Sequence, residues 1–246
     1  RGGQFGAVNG FERPNYFGPI DANENFDRES RSFRRGAWWQ YAVDEARAIR
    51  TGVGLIDATA FTKHIVKGPG ATAFLDWFTC NRLPKVGHIN LTYALTTHGT
   101  TRSEYTIVRL REHEYYLVSA GAWTSYDGDY LIKSAEDKVA DFGYIEVQNV
   151  TTQWGVFAIA GPKSRDVLNT VIRDADPETA LSNKRFRWLS SRKIELGMCP
   201  VNAIRVSYTG ELGWELHHPI EMQNYLFDLL EGVGEKHEMK LVGARA

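Results

Sequence analysis

The segment from residue 205 to 219, RVSYTGELGWELHHP, carries two carboxylates and a tyrosine around two glycines. Glycines at this density are typical of a turn, so the segment predicts a β-hairpin. Glu215 lies between a tryptophan and a leucine, and a carboxylate in an apolar strand needs hydrogen-bond donors. The sequence therefore predicts that Glu215 binds a ligand, whereas Glu211 is expected to be a solvated hairpin residue.

The pattern that leads to this hairpin occurs twice. The stretches FTKHIVKGPGATAFLDWF and VFAIAGPKSRDVLNTVI each predict a strand, a Gly-Pro step that begins at Gly68 or Gly161, and a helix. Strand-like stretches follow each copy, which is typical of an α+β unit with helices on one face of a sheet. We therefore expect two pseudo-repeated halves with antiparallel sheets. Two unrelated turns that happen to share Gly-Pro are the alternative.

A second acid occupies the hairpin of the first half. Glu104, in TTRSEYTIVRL, enters an apolar strand much as Glu215 does in the second half. A cleft between two related halves is a natural place for a ligand. The duplication thus predicts that Glu104 and Glu215 face a common pocket.

The chain is expected to divide into three parts. Residues 1–36 show no clear period and predict an irregular linker segment. The stretch AWWQYAVDEARAIR predicts an amphipathic helix that opens the first α+β half, residues 37–150, and the second half covers residues 151–246. Because the first residue is not methionine and the sequence stops at LVGARA, we expect a piece of a longer chain, truncated at the C-terminal end of its second half.

Composition excludes several classes of function. The 246 residues are 43% hydrophobic and carry a net charge of -1, which gives no electrostatic reason to expect nucleic acid or a membrane as partner. Cys80 and Cys199 predict two buried thiols rather than a disulfide. The seven histidines lack metal-ligand spacing, so no metal is expected, and the adjacent pair His217 and His218 should point to opposite faces of a strand.

Three motifs together resemble a known family. GVGLIDATAFTKHIVKGPGATAFLDWF, GVFAIAGPKSRDVL and RVSYTGELGWELHHP are similar to the tetrahydrofolate-binding aminomethyltransferases, of which the glycine-cleavage T-protein is the best-known member. The likeness runs from Trp38 to Arg245. The opening NGFERPNYFG further resembles the joint between the flavin part and the folate part of dimethylglycine and sarcosine dehydrogenases.

The resemblance implies a fold, a cofactor and partners. It implies the folate-binding aminomethyltransferase fold without its C-terminal barrel domain, tetrahydrofolate as cofactor, and FAD only in an upstream domain that is absent from this sequence. The implied partners are folate, an iminium derived from a methylated amine, and a covalently linked flavin domain. The implied compartment is the cytoplasm, or the mitochondrial matrix in a eukaryote.

The resemblance also implies roles for individual residues. Glu215 matches the glutamate that binds the pterin ring, and a carboxylate can accept from two neighbouring N–H groups there. Tyr208 matches the motif tyrosine beside the folate, and Arg245 matches an arginine that contacts folate. Glu104 stands at the position of the catalytic acid, usually an aspartate. Tyr93 is expected to replace a family tyrosine, with a purely structural role as the alternative.

Two positions depart from the family pattern. The family strand usually carries two successive aspartates, and this chain has Ser103 and then Glu104 there. Glutamate reaches about one methylene further, and a misplacement near 1 Å can cost on the order of 10²-fold in rate. Leu91 stands where the family commonly has the tyrosine, which is why Tyr93, on the same face of the strand, is assigned the role.

The function that the resemblance implies is one-carbon transfer. The domain is expected to capture a methylene unit from an oxidised methylamine, similar to dimethylglycine or sarcosine, and to form 5,10-methylenetetrahydrofolate. The alternatives are a stand-alone aminomethyltransferase like the T-protein, and a non-catalytic folate-binding or structural docking module.

Overall fold

The computed structural model describes residues 1–8, 10–19, 33 and 35–246. Its helices and strands alternate along the chain in two similar series. In chain order they are β1 (Gly3–Val8), β2 (Phe11–Phe17), α1 (Trp38–Thr51), β3 (Gly54–Asp57), β4 (Thr62–Lys67), α2 (Ala71–Phe78), β5 (Ile89–Leu95), β6 (Thr101–Arg111), β7 (Glu114–Ser119), α3 (Thr124–Asp137), α4 (Val139–Phe142), β8 (Glu146–Asn149), β9 (Trp154–Ala160), α5 (Ser164–Asn169), α6 (Pro177–Ala180), β10 (Ser191–Leu196), β11 (Cys199–Ile204), β12 (Gly213–Pro219), α7 (Gln223–Gly234) and β13 (Lys240–Val242).

Two large sheets have the same order of strands. The first sheet has the order β5-β6-β7-β4-β8, and the second has the order β10-β11-β12-β9-β3-β13. All neighbouring strands are antiparallel except β13 and β3, which are parallel. The predicted α+β fold with antiparallel sheets is therefore confirmed, and the matching order is what the duplication in the sequence predicts.

The two halves exchange their leading strands. Strand β3 precedes β4 in the chain but pairs with β9 of the second sheet, and β8 precedes β9 but pairs with β4 of the first. Each central strand, β4 or β9, is thus completed by a strand that the other series supplies. The predicted division at residues 150 and 151 stays a prediction, with β3 lying in the second sheet although it belongs to the first predicted half.

The Gly-Pro steps allow this exchange. Gly68 has φ +123° and Gly161 has φ +124°, a backbone region that side chains rarely adopt. A Cβ at Gly68 would lie 2.6 Å from the carbonyl oxygen of Tyr144, and one at Gly161 would lie 2.4 Å from that of Gly52. Both carbonyls belong to the segments that lead into the exchanged strands. Glycine is therefore required where each central strand ends.

Helices cover the outer faces of the sheets, and the inner faces meet. Phe74 and Leu131, on α2 and α3, pack against the outer face of the first sheet. Leu168 and Leu230, on α5 and α7, pack against the outer face of the second. The inner faces share a third cluster that includes Val108, Tyr116, Trp154 and Ile204. The layers therefore run helix, sheet, sheet, helix.

A buried lysine lies where the chain crosses between the sheets. The ammonium group of Lys63, on β4, donates to the carbonyl oxygens of Thr59 at 2.7 Å and Thr151 at 3.1 Å. These two residues lie in the connections from β3 to β4 and from β8 to β9. Burial lowers the pKa of Lys63 to about 8. Lys63 thus joins both crossovers by hydrogen bonds within the interior.

Two expectations about local structure are wrong. Strands β1 and β2 pair as an antiparallel hairpin where an irregular segment is expected, and Gly10, just before β2, has φ +86°, a conformation that favours glycine. Of the rest of the predicted linker, residue 9, residues 20–32 and residue 34 lie outside the described residues. Cys80 is exposed, although Cys199 is buried as expected.

The first helix buries a carboxylate that its apolar pattern does not indicate. Helix α1 forms close to its predicted bounds, but its buried residues are Ala42, Glu45 and Ile49. The Glu45 carboxylate accepts from the backbone N–H of Phe17 at 2.5 Å and of Gly243 at 2.8 Å.

Within the described part of the chain, no helix combines the length and the hydropathy that crossing a membrane requires.

Replacing Gly161 with alanine should destabilise the fold. The new methyl group would meet the Gly52 carbonyl in a conformation that alanine avoids, so we expect the free energy of unfolding to fall by about 2–4 kcal/mol. The matched control is Gly232→Ala in α7, where no atom lies within 4 Å of the new Cβ and the change should stabilise by about 0.5–1 kcal/mol. Urea unfolding measures both. A Gly161→Ala variant as stable as the parent would contradict the required close approach.

Candidate functional site

Strands β5 and β6 place Tyr93 directly opposite Glu104. Side chains alternate along a strand, so Glu104 shares a face with Val108, which packs between the sheets. Glu104 therefore projects from the inner face of the first sheet. It is exposed, and Leu91, on the same face of the neighbouring strand, keeps half of its surface exposed. This end of the inner face is open to solvent.

The two side chains interact electrostatically. The negative charge of Glu104 is the largest cause that raises the pKa of Tyr93, followed by burial and by a hydrogen bond to Glu104. A tyrosine in this state keeps its proton at neutral pH and can donate a hydrogen bond. The structure thus brings two of the predicted site residues together as a carboxylate beside a phenol.

Helix α3 holds the strand that carries Glu104. The hydroxyl of Ser103 donates to the Asp127 carboxylate at 2.7 Å, and burial raises the pKa of Asp127. The Arg102 guanidinium lies over the rings of Tyr126 and Tyr130, at 3.9 Å and 4.2 Å from their centroids. Ser103, the residue before Glu104, is therefore anchored on the outer face, and Arg102, two residues before Glu104, also contacts α3. Both contacts restrain the backbone from which Glu104 projects. Sequence reasoning missed Asp127, because it reaches β6 only through tertiary packing.

Glu215 projects from the inner face of the second sheet. Its neighbours Trp214 and Leu216 pack in the outer core, so Glu215 and His217 point the other way. Its side chain is 26% exposed, and its Oε2 lies 3.1 Å from His217 Nε2. The other nitrogen of His217, Nδ1, lies 2.9 Å from the hydroxyl of Tyr116 on the first sheet. The two adjacent histidines face opposite sides of β12, as predicted, because His218 bonds Gln223 on the outer side.

Glu211 is not a solvated hairpin residue, and that expectation is wrong. Its side chain is only 10% exposed and lies 3.1 Å from the guanidinium of Arg50. The loop from residue 205 to 212 folds back against the end of α1, a contact between distant parts of the sequence. Glu211 therefore has a structural partner in place of water.

The other two predicted folate-binding residues, Tyr208 and Arg245, lie apart from Glu104 and Glu215. Tyr208 is fully exposed at the tip of the loop between β11 and β12. The Arg245 guanidinium lies 4.5 Å from the ring centroid of Trp38, at the opposite end of α1 from Arg50. Within the part of the chain that the structure describes, neither Tyr208 nor Arg245 makes a hydrogen bond, ion pair or ring contact with Glu104 or Glu215. Their roles in folate binding stay predictions.

Two cavities lie elsewhere on the second sheet and beside it. One, of about 540 Å³, is lined by inner-face residues such as Trp154 and Asn202 together with Arg173. The other, of about 360 Å³, lies between the β1–β2 hairpin and α7 and includes Asp57 and Phe227. Neither is lined by Glu104 or Glu215, so a common pocket for the two acids stays a prediction. Among the described residues, no group of three or more His, Cys, Asp and Glu side chains could hold a metal ion.

The interaction between Tyr93 and Glu104 can be tested by titration. In a Glu104→Gln variant the pKa of Tyr93 should fall towards its ordinary value, because no carboxylate charge then opposes the tyrosinate. NMR of ring-labelled tyrosine measures this, with Tyr93→Phe to assign the resonance. Glu112→Gln, at the exposed turn after the far end of β6, is the control and should leave the pKa unchanged. An unchanged pKa in Glu104→Gln would show that the side chains are apart.

Comparison with known proteins agrees with this architecture. The family model of the GCVT N-terminal domain matches residues 1–246. Mitochondrial dimethylglycine dehydrogenase of Mus musculus is 33% identical over 228 residues, which are 92% of this chain and 25% of that protein. Mitochondrial sarcosine dehydrogenase of Mus musculus is 27% identical over 274 residues, covering 96% of this chain and 29% of that protein.

A solved structure shows the same fold. The glycine cleavage system aminomethyltransferase T from Bartonella henselae superimposes with a TM-score of 0.75 at 22% identity, over 100% of this chain and 57% of that one. The chain thus spans about a quarter of the length of the dehydrogenases that it matches. The resemblance seen in the sequence is confirmed, and the chain belongs to the GCVT N-terminal domain family, whose members bind tetrahydrofolate.

Proposed function

We propose that this domain binds tetrahydrofolate between its two sheets and transfers a one-carbon unit to it. The observation that supports the proposal most is that Glu104 and Glu215 project from the inner faces of the two sheets, which pack against each other. Carboxylates are costly on such faces unless a ligand or a solvent-filled space receives them. Bound tetrahydrofolate supplies the nucleophilic nitrogens that accept the carbon as 5,10-methylenetetrahydrofolate.

Glu215 is the residue that holds the pterin ring. A carboxylate is an acceptor only, and a pterin edge offers an amino group beside a ring N–H, so the two are complementary. The carboxylate is partly exposed, and among the described residues its Oε2 is hydrogen-bonded to His217 while its Oε1 makes no hydrogen bond. Glu215 therefore has accepting capacity left for a ligand, and its residue type and setting fit the pterin.

Glu104 is the residue that acts on the reacting carbon. An exposed carboxylate on an anchored strand stabilises a cationic iminium and orients the attacking nitrogen, which is preorganised electrostatics rather than covalent chemistry. Tyr93 adds a hydrogen-bond donor beside it. Ser103 replaces the first of the two acids common in the family, and the Asp127 carboxylate lies against it from α3.

The wider protein is part of the proposal. The methylene unit is proposed to come from an oxidised methylamine similar to dimethylglycine or sarcosine, delivered by a flavin domain in the same polypeptide. This source is proposed because relatives named dimethylglycine and sarcosine dehydrogenases match most of the chain. Tyr208 and Arg245 are proposed to contact the folate as it binds.

Calorimetric titration of 5-formyltetrahydrofolate into the chain tests the pterin assignment. Glu215→Ala should weaken the affinity by at least about 10-fold, because a charge-assisted hydrogen bond contributes about 1.5–3 kcal/mol. Glu112→Gln, which removes an exposed charge far from either acid, should bind as the parent does. Equal affinity in Glu215→Ala and the parent would remove Glu215 from the site.

The role of Glu104 is tested separately, by rate. Glu104→Gln should bind 5-formyltetrahydrofolate within about 3-fold of the parent, yet lose about 10²-fold in the rate at which formaldehyde and tetrahydrofolate form the methylene product above the uncatalysed reaction. Loss of binding in Glu104→Gln would assign it to holding the ligand instead. A parent that binds folate without accelerating the reaction would favour the non-catalytic module.

A further inference from the structure

We propose that His217 and Tyr116 position Glu215 for its ligand, as a hydrogen-bonded chain that spans the two sheets. This inference rests on the proposed function, since it assigns residues that act through the glutamate and do not touch the ligand themselves.

The hydrogen bonds form an unbroken series from Tyr116 through His217 to Glu215. Tyr116 hydroxyl to His217 Nδ1 is 2.9 Å, and His217 Nε2 to Glu215 Oε2 is 3.1 Å. The ring of Tyr116 also meets the imidazole edge to face, with centroids 5.3 Å apart. The His217 side chain is 1% exposed and Tyr116 is 5% exposed, whereas Glu215 is 26% exposed. The series of hydrogen bonds thus runs from the buried Tyr116 to Glu215, which is the one residue of the three that solvent or a ligand can reach.

The donors and acceptors of the three side chains fix which group donates in each hydrogen bond. A tyrosine hydroxyl that donates to Nδ1 leaves the proton of a neutral imidazole on Nε2, and that N–H donates to the carboxylate. Burial, the largest cause, and the charge of Glu215 both raise the pKa of Tyr116, so its hydroxyl keeps the proton that it donates. One carboxylate oxygen of Glu215 is therefore occupied, which orients the other towards a ligand.

Tyr116 and Glu215 occupy corresponding positions in the two halves. Tyr116 pairs with Ile65 on the central strand of the first sheet, and Glu215 pairs with Ala158 on the central strand of the second. Measured from the two Gly-Pro steps, Ile65 and Ala158 are corresponding positions, so Tyr116 and Glu215 also correspond. His217 links them across the interface. One half thus supplies the ligand-binding acid and the other supplies the group that orients it.

The competing interpretation is that the hydrogen bonds of Tyr116, His217 and Glu215 only stabilise the contact between the sheets. A structural role predicts lower stability with unchanged affinity, whereas a positioning role predicts weaker binding that depends on Glu215. The two histidines on β12 allow a matched comparison. His218 is equally buried on the opposite face, where it bonds the Leu216 carbonyl and the Gln223 side chain.

The experiment measures the dissociation constant of 5-formyltetrahydrofolate by calorimetry for folded variants of the chain. Tyr116→Phe, which keeps the ring and removes the donor, should raise it about 3–10-fold. His217→Leu should raise it about 10-fold or more, and His217→Gln, whose amide places a donor near the position of Nε2, should recover most of the loss. His218→Gln should bind as the parent does, because it lies on the other face.

Two further arms separate the outcomes. In a Glu215→Ala background, His217→Leu should change the dissociation constant by less than about 2-fold, and a full effect there would overturn the positioning role. Parent-like binding in both His217→Leu and Tyr116→Phe, with binding lost in Glu215→Ala, would overturn this inference and leave the proposed function standing.

A spectroscopic readout does not depend on folate. In the free protein, nitrogen-15 NMR should show that the neutral form of the His217 imidazole carries its proton on Nε2. The proton on Nδ1 would overturn the inference whether or not folate binds. Failure of the parent chain to bind 5-formyltetrahydrofolate, with the expected tautomer present, would instead remove the proposed function and the ligand role that rests on it.

Discussion

The exchange of strands β3 and β8 is the constraint on which the rest of the structure depends. Neither central strand can satisfy both of its hydrogen-bonding edges with its own series alone, so each sheet is complete only when the two halves have crossed. The crossing is dense enough to require Gly68 and Gly161, and it encloses the ammonium group of Lys63. The two inner faces are therefore held opposite each other by backbone pairing.

The candidate site uses this arrangement from both sides. Glu104 follows Ser103, which is held by α3 on the outer face, and Glu215 lies on a strand whose inner face meets Tyr116 of the other sheet. In both cases the acid projects from rigid backbone while its supporting contacts are buried. Such support is what a binding or catalytic carboxylate needs to keep one orientation before a ligand arrives.

The two halves differ in the side chains that they place on their inner faces. Corresponding positions hold a tyrosine in the first half, Tyr116, and an acid in the second, Glu215. Ser103 is a second example of a changed side chain, because it has no carboxylate of its own. The carboxylate that contacts it belongs to Asp127 on α3. A duplicated fold can thus place unlike groups face to face while its backbone keeps the same order of strands.

The sequence by itself determined the class of fold and the family, because Gly-Pro steps, strand alternation and the Tyr-Thr-Gly-Glu turn are local patterns that leave a direct trace in the order of residues. It also indicated the opposite directions of His217 and His218, which follow from strand geometry alone. Tertiary structure decided the exchange of strands, the pairing of Glu211 with Arg50, the exposure of Cys80 and the chain from Tyr116 to Glu215. These depend on contacts between residues far apart in the chain, and a pattern of neighbouring residues carries no information about which distant group will meet them.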